Sequence, residues 1–195
     1  MMMTPRSRAL RITADAVRLM VLASAVAVGV TSLEGALLLA LLFLALLVPR
    51  AARLPALLDL LVCAGLTWAT WSQVWHWYRV VGWYDTVVHF VTPGTVAAAL
   101  HLLLSRFRLL PSPDDVRLRR AAVPLTTTAV GATVACLWEM CEWLIVDVIG
   151  EPIRVGYQDT VADLAAGMGG SLTAGLLLAW WAARDGRAGA AGPGP

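Results

Sequence analysis

The sequence predicts an all-α membrane protein: about six transmembrane helices in a compact bundle, with the N and C termini in the cytoplasm. Three observations predict it. First, 59% of the 195 residues are hydrophobic and 14% are charged, against ~45–50% and ~25% in an ordinary soluble domain. Second, the apolar residues form continuous Leu/Ala/Val-rich segments rather than alternating ones, so each segment satisfies its backbone as a helix and not as a barrel strand. Third, all 15 basic residues are arginine, and they gather in alternate loops, as the positive-inside rule requires. A disordered chain, a coiled coil and a basic nucleic-acid binder are excluded by this composition.

Each element follows in order. Residues 1–15 form a basic cytoplasmic N-terminus with Arg6, Arg8 and Arg11. The first apolar segment, about 16–31, is short for a span. Basic residues before a short Ala/Val run also fit a signal peptide, but the arginine pattern favours an uncleaved anchor. The second segment is about 35–48, closed by Pro49-Arg50. The third is about 55–78, the fourth 86–105, the fifth 121–148 and the sixth 159–183. A six-helix domain over 16–184 results, and the Gly/Ala/Pro-rich stretch 185–195 reads as a disordered cytoplasmic tail. Thirteen arginines then fall on one side, and only Arg79 and Arg154 on the other. Trp75, Trp77, Tyr78, Trp83 and Tyr84 are expected in an outer interfacial belt, with His76 among them, and Trp180 and Trp181 at the inner one. Cys63, Cys136 and Cys141 are an odd set inside apolar stretches, which argues against disulfides or a cysteine zinc site.

The carboxylates behave differently. Eight of the 13 acids, Glu34, Asp85, Glu139, Glu142, Asp147, Glu151, Asp159 and Asp163, belong to the outer half. An acid inside a span costs ~2.5–3.5 kcal/mol even on the insertion scale, so it marks a candidate site. Three pairs have helical spacing: Asp85 and His89 at i, i+4, Glu139 and Glu142 at i, i+3, and Asp159 and Asp163 at i, i+4. Such pairs share a helix stripe. With antiparallel neighbours, all three lie at one depth and form a pocket open to the outer surface. Simpler roles compete. Asp85 and Asp159 are good N-cap residues, Thr160–Asp163 fits a capping box, and His89 could be a core histidine bonded to a carbonyl. Glu139 and Glu142 could pair with Arg154 or Arg79. His101 reads as structural, and Asp59 as the partner of a loop arginine. Pro93 removes the hydrogen bond to the His89 carbonyl. Gly167, Gly170, Ser171, Ala174 and Gly175 form a packing stripe that draws the sixth helix against its neighbours.

A histidine beside an acid suits general-base or nucleophilic work, with His89, Asp85 and Glu139 as the candidate catalytic set. Clustered carboxylates suit a divalent cation: magnesium, calcium, manganese or, with a histidine, zinc. Glu139, Glu142, Asp159 and Asp163 are the candidate metal ligands. The outer membrane depth points to a membrane lipid as partner.

The residues Tyr84-Asp85-Thr86-Val87-Val88-His89-Phe90, then Trp138-Glu139-Met140-Cys141-Glu142, then Gly156-Tyr157-Gln158-Asp159-Thr160-Val161-Ala162-Asp163-Leu164, with Gly94, Gly167 and Gly170, carry a resemblance. Over about residues 80–175 the chain resembles the YjdF-like family of bacterial inner-membrane proteins. More distantly it resembles the VanZ-like family, linked to glycopeptide resistance. The resemblance implies that Asp85, His89, Glu139 and Asp163 are the family's polar positions. It also implies membership of a wider group of membrane enzymes acting on lipid headgroups. Two positions depart from the VanZ-like pattern: Glu142 stands near its usual Gln, and Gly167 where its Asn follows the Asp. The expected function is hydrolysis or exchange of a lipid headgroup or lipid-linked envelope precursor in the bacterial cytoplasmic membrane. The alternative is a cation or small-solute transporter or a non-catalytic membrane protein. Against transport, the inner halves of the fifth and sixth segments offer only Thr126, Thr127, Thr128, Ser171 and Thr173, and no inverted repeat is visible.

Overall fold

The computed structural model describes residues 4–74, 77, 83–115, 117, 121–149 and 156–190. Its regular structure is helical. The elements are α1 (Pro5–Val28), α2 (Leu33–Ala51), α3 (Ala56–Val74), α4 (Tyr84–Arg106), α5 (Ala122–Leu144) and α6 (Tyr157–Ala190). A π-helical turn, Ile145–Ile149, continues α5. Trp75, His76, Tyr78, Arg79, Glu151 and Arg154 lie outside the described residues.

By length and composition, the helices over Leu33–Ala51, Tyr84–Arg106, Ala122–Asp147 and Tyr157–Arg184 can each cross a membrane. The apolar helix Ala56–Ser72 is shorter, and α1 carries Arg6, Arg8, Arg11, Asp15 and Arg18 within its length. The expected first segment and its basic leader are therefore one helix. Thr4 starts it: its hydroxyl accepts the Ser7 N–H at 3.2 Å, and Pro5 occupies the first turn, where its missing N–H costs nothing. Ser32 caps α2 in the same way, through the Gly35 N–H at 3.1 Å. At the other end of the chain, α6 runs on through residues 185–190, which the composition suggested were disordered. A nucleated helix gains one hydrogen bond per added residue, and the Arg184 guanidinium stacks over the Trp180 ring at 4.0 Å just before this extension.

The chain divides into two compact units, residues 1–80 and 81–195. In the first, α1 packs on α2 and α3. Ala14, Val21 and Ala25 of α1 meet Leu39, Leu42 and Leu46 of α2 and Cys63 of α3. Arg18 falls on the same α1 stripe and is buried with them. Its Nε donates to the Leu46 carbonyl at 2.8 Å, one Nη to Asp15 at 2.8 Å and the other to fully buried Asp59. Arg11 reaches the second Asp59 oxygen at 3.1 Å. Asp59 was expected to pair with a loop arginine. It pairs instead with two helical ones, because positions 11 and 18 lie two turns apart on one face.

In the second unit, α6 packs against both α4 and α5. Glycines set how closely. A methyl group on Gly170 would overlap the Phe90 carbonyl of α4, and one on Gly131 of α5 would overlap the Ser171 side chain of α6. A methyl on Gly94 would stand 2.7 Å from the Gly170 oxygen. The small residues of α6 thus act as the packing stripe that the sequence suggested, at backbone-to-backbone distance.

Candidate functional site

Three helices of the second unit bring their acids to one histidine. Asp85 and His89 occupy the first two turns of α4, Asp163 the second turn of α6, and Glu139 and Glu142 the last turns of α5. At a rise of 1.5 Å per residue, His89 lies only ~7–8 Å along the axis from the start of its helix. The site is therefore at one end of the helices and not at their middle.

The histidine's two nitrogens have different surroundings. Nδ1 is 3.0 Å from Asp85 Oδ1, 3.1 Å from the Asp85 main-chain carbonyl and 3.4 Å from Asp163 Oδ1. On the other side, Nε2 is 3.7 Å from Glu139 Oε1. That distance is too long for a hydrogen bond. His89 is 6% exposed, Glu139 9% and Asp163 3%. Nε2 and Oε1 are both buried without a hydrogen-bond partner among the described residues. Trp138 packs edge-on to the His89 ring, with centroids 6.4 Å apart, and its Nε1–H donates to Glu142 Oε1 at 2.8 Å.

Asp85 is no N-cap. Trp83 holds that position without a side-chain bond, and the Asp85 carboxylate turns to the histidine instead. Thr160 lies inside α6, so the capping-box alternative for Thr160–Asp163 falls away as well. The carbonyl contact expected of a core histidine is present, but it is one of several. Two groups of side chains place one donor atom each within 4.8 Å of one another: Asp85, His89 and Asp163, and His89, Glu139 and Glu142. Asp159, half-buried one turn nearer the helix start, joins neither. Trp138 is the residue that the sequence reading left without a role. Its place one residue before Glu139 and four before Glu142 was the available signal, since i, i+4 puts the indole beside that carboxylate.

His101 is structural, as expected. It is fully buried, its Nε2 bonds the Pro111 carbonyl at 3.0 Å, and its Nδ1 meets the Thr127 hydroxyl at 3.1 Å. It fastens the stretch after α4 onto α5.

A family model described as a predicted membrane protein, DUF2238, matches residues 8–184. The chain belongs to this family. DUF2238 is the YjdF-like family named by the motifs, and the match reaches beyond residues 80–175 to include α1, α2 and α3. Neither the curated proteins nor the solved structures gave a match. The four long apolar helices agree with the family description.

Proposed function

We propose that this DUF2238 protein is an enzyme of the bacterial cytoplasmic membrane that hydrolyses or exchanges the headgroup of a phospholipid or lipid-linked envelope precursor. The observation that carries the reading is the His89 centre: an acid on Nδ1, a bare Nε2, and Glu139 opposite it. An imidazole held by a carboxylate on one nitrogen is the usual arrangement of an activating histidine. In this reading Asp85 orients the ring and the Nε2 lone pair takes a proton from water; a divalent cation held by His89, Glu139 and Glu142 would instead lower the pKa of that water. The water oxygen attacks the headgroup ester, the ester bond breaks, and the proton held on Nε2 passes by way of Glu139 to the leaving oxygen. Asp163 steadies the Nδ1 side. Glu142, which shares a donor group with His89 and Glu139, would help hold a cation against the anionic substrate, and Asp159, in neither group, would not.

The depth of the centre, two turns from the helix ends, suits a polar headgroup rather than an acyl chain. The arginine distribution supports six spans with cytoplasmic termini, which puts this end of α4, α5 and α6 at the outer face. The distant VanZ-like likeness points to cell-envelope lipid metabolism. Transport is the weaker reading. The hydroxyls of Thr126, Thr127, Thr128, Ser171 and Thr173 each donate to a carbonyl four residues back in their own helix, so a path through the unit has little to offer a polar solute.

The test is to incubate the purified protein, in detergent with divalent cations, with a panel of headgroup-labelled phospholipids and lipid-linked precursors. Wild type should release label and His89→Ala should not. No release from any lipid in the panel would sink the enzymatic reading.

A further inference from the structure

The His89 centre has two faces, and only one can hold a metal ion. Nδ1 lies within reach of the Asp85 main-chain carbonyl at 3.1 Å. A carbonyl only accepts, so Nδ1 carries the ring proton, and Asp85 Oδ1 at 3.0 Å shares it. The group formed by Asp85, His89 and Asp163 therefore offers no nitrogen lone pair. In the neutral ring the lone pair is on Nε2, and Nε2 points at Glu139 Oε1. Both are acceptors, both are more than nine-tenths buried by residue, and neither has a hydrogen-bond partner among the described residues. Two bare acceptors facing each other in a low-dielectric interior repel unless something positive lies between them.

A proton or a metal ion could supply that charge, and the spacing separates them. A shared N–H···O proton needs ~2.7–3.2 Å, whereas these atoms are 3.7 Å apart. A tetrahedral zinc ion with ligand bonds of ~2.0–2.2 Å holds its ligands ~3.4 Å from one another. The observed gap exceeds the zinc ligand spacing by about 0.3 Å and the longest of these hydrogen bonds by about 0.5 Å. Glu142 completes the set, since its donor atom lies within 4.8 Å of the other two. It is half-buried, and the Trp138 indole steadies one of its oxygens.

We infer that His89 Nε2, Glu139 and Glu142 bind a zinc ion, with Asp85 and Asp163 as the carboxylates that orient the imidazole from behind. One nitrogen and two carboxylates make a borderline donor set, suited to zinc rather than to magnesium or calcium, which take all-oxygen shells. Three protein ligands leave the fourth tetrahedral position to water, the pattern of a catalytic zinc site. Asp85 then has the position of the carboxylate that backs a metal-bound histidine, a partner whose loss costs 10–100-fold in affinity. The inference rests on the reading of this centre as the active site. It moves His89 from base to ligand and gives the activation of water to the ion.

The experiment titrates chelator-stripped, detergent-purified protein with Zn2+ alone, and reads bound metal by elemental analysis together with thermal stability. Wild type should hold one zinc per chain. His89→Gln and Glu139→Gln should lose it, Asp85→Asn should keep the stoichiometry with affinity down 10–100-fold, and exposed Glu34→Gln should match wild type. Should His89→Gln fail to fold, half-buried Glu142→Gln replaces it, with at least tenfold weaker binding expected. No zinc bound, or equal affinity in wild type and the ligand variants, overturns the inference. So does equal competition by millimolar Mg2+. Zinc bound through His89 in a protein that releases no headgroup would overturn the enzymatic reading alone. Headgroup release that persists after zinc is stripped would overturn the zinc site alone.

Discussion

Asp85 and Glu139 face opposite nitrogens of one imidazole, so changing each to its amide should have opposite consequences. Asp85→Asn keeps the size of the side chain but replaces an obligate acceptor with a group that can also donate. The tautomer then loses its constraint. In 15N-labelled protein, wild-type His89 should show a single Nδ1–H tautomer and Asp85→Asn a mixture. An unchanged spectrum would mean that the main-chain carbonyl alone sets the tautomer. Glu139→Gln is expected to stabilise. A small rotation of its amide from the 3.7 Å position of Oε1 lets an N–H donate to the bare Nε2, and satisfying a buried unpaired group is worth ~1–3 kcal/mol. In chelator-treated protein this variant should therefore melt above wild type while releasing no headgroup. A lower melting temperature would show that the two atoms do not face each other as described.

At the scale of elements, the centre depends on how closely α4 and α6 approach. Gly170 lies two turns along α6 from Asp163, against the Phe90 carbonyl next to His89. Gly170→Ala puts a methyl where backbone already is, so the helices must separate. Overpacking of this kind costs ~1–3 kcal/mol, and it should also draw Asp163 away from Nδ1. Neighbouring Gly169 is the control: a methyl there would meet the Phe90 ring at an ordinary 3.5 Å. Gly170→Ala should lower both the melting temperature and the activity, and Gly169→Ala neither. Equal effects would remove the close approach from the account. The same contact explains what could and could not be read from the sequence. Helical spacing puts Asp85 with His89 and Glu139 with Glu142, because both partners ride on one helix. That Asp163 rather than Asp159 shares a donor group with His89 depends on the rotation of α6 about its axis, and that is set by a close contact between helices. The small-residue stripe signals that such a contact exists but not its partner. For α1 the difficulty was of another kind. A sliding sum of hydropathy counts Arg11 and Arg18 as exposed charge, yet both bond to Asp59 inside the unit.

At the scale of the whole molecule, that internal pairing bears on how many times the chain crosses the membrane. Asp59 is fully buried with two guanidinium groups on its oxygens. Removing one partner of a buried pair costs ~3–5 kcal/mol, so Asp59→Ala should unfold the first unit well below the melting temperature of wild type. Neutralised in this way, α1 can enter a bilayer that its composition alone would refuse, and α3 can follow it. In the six-span proposal, α1 and α3 join the four long apolar helices. The two counts differ at a measurable place. Position 34 opens α2, and position 113 follows α4. If α2, α3 and α4 all cross, an odd number of crossings puts these positions on opposite faces. If α3 lies outside the bilayer, only α2 and α4 separate them, and they share a face. Cys63, Cys136 and Cys141 are first changed to Ala. Glu34→Cys and Pro113→Cys are then introduced singly, and intact cells are treated with a maleimide that cannot cross the membrane. Six spans with cytoplasmic termini require labelling at position 34 in intact cells and at position 113 only after lysis. Labelling of both in intact cells, or of neither, would reduce the count to four and remove the support that six spans give to an outward-facing His89 centre.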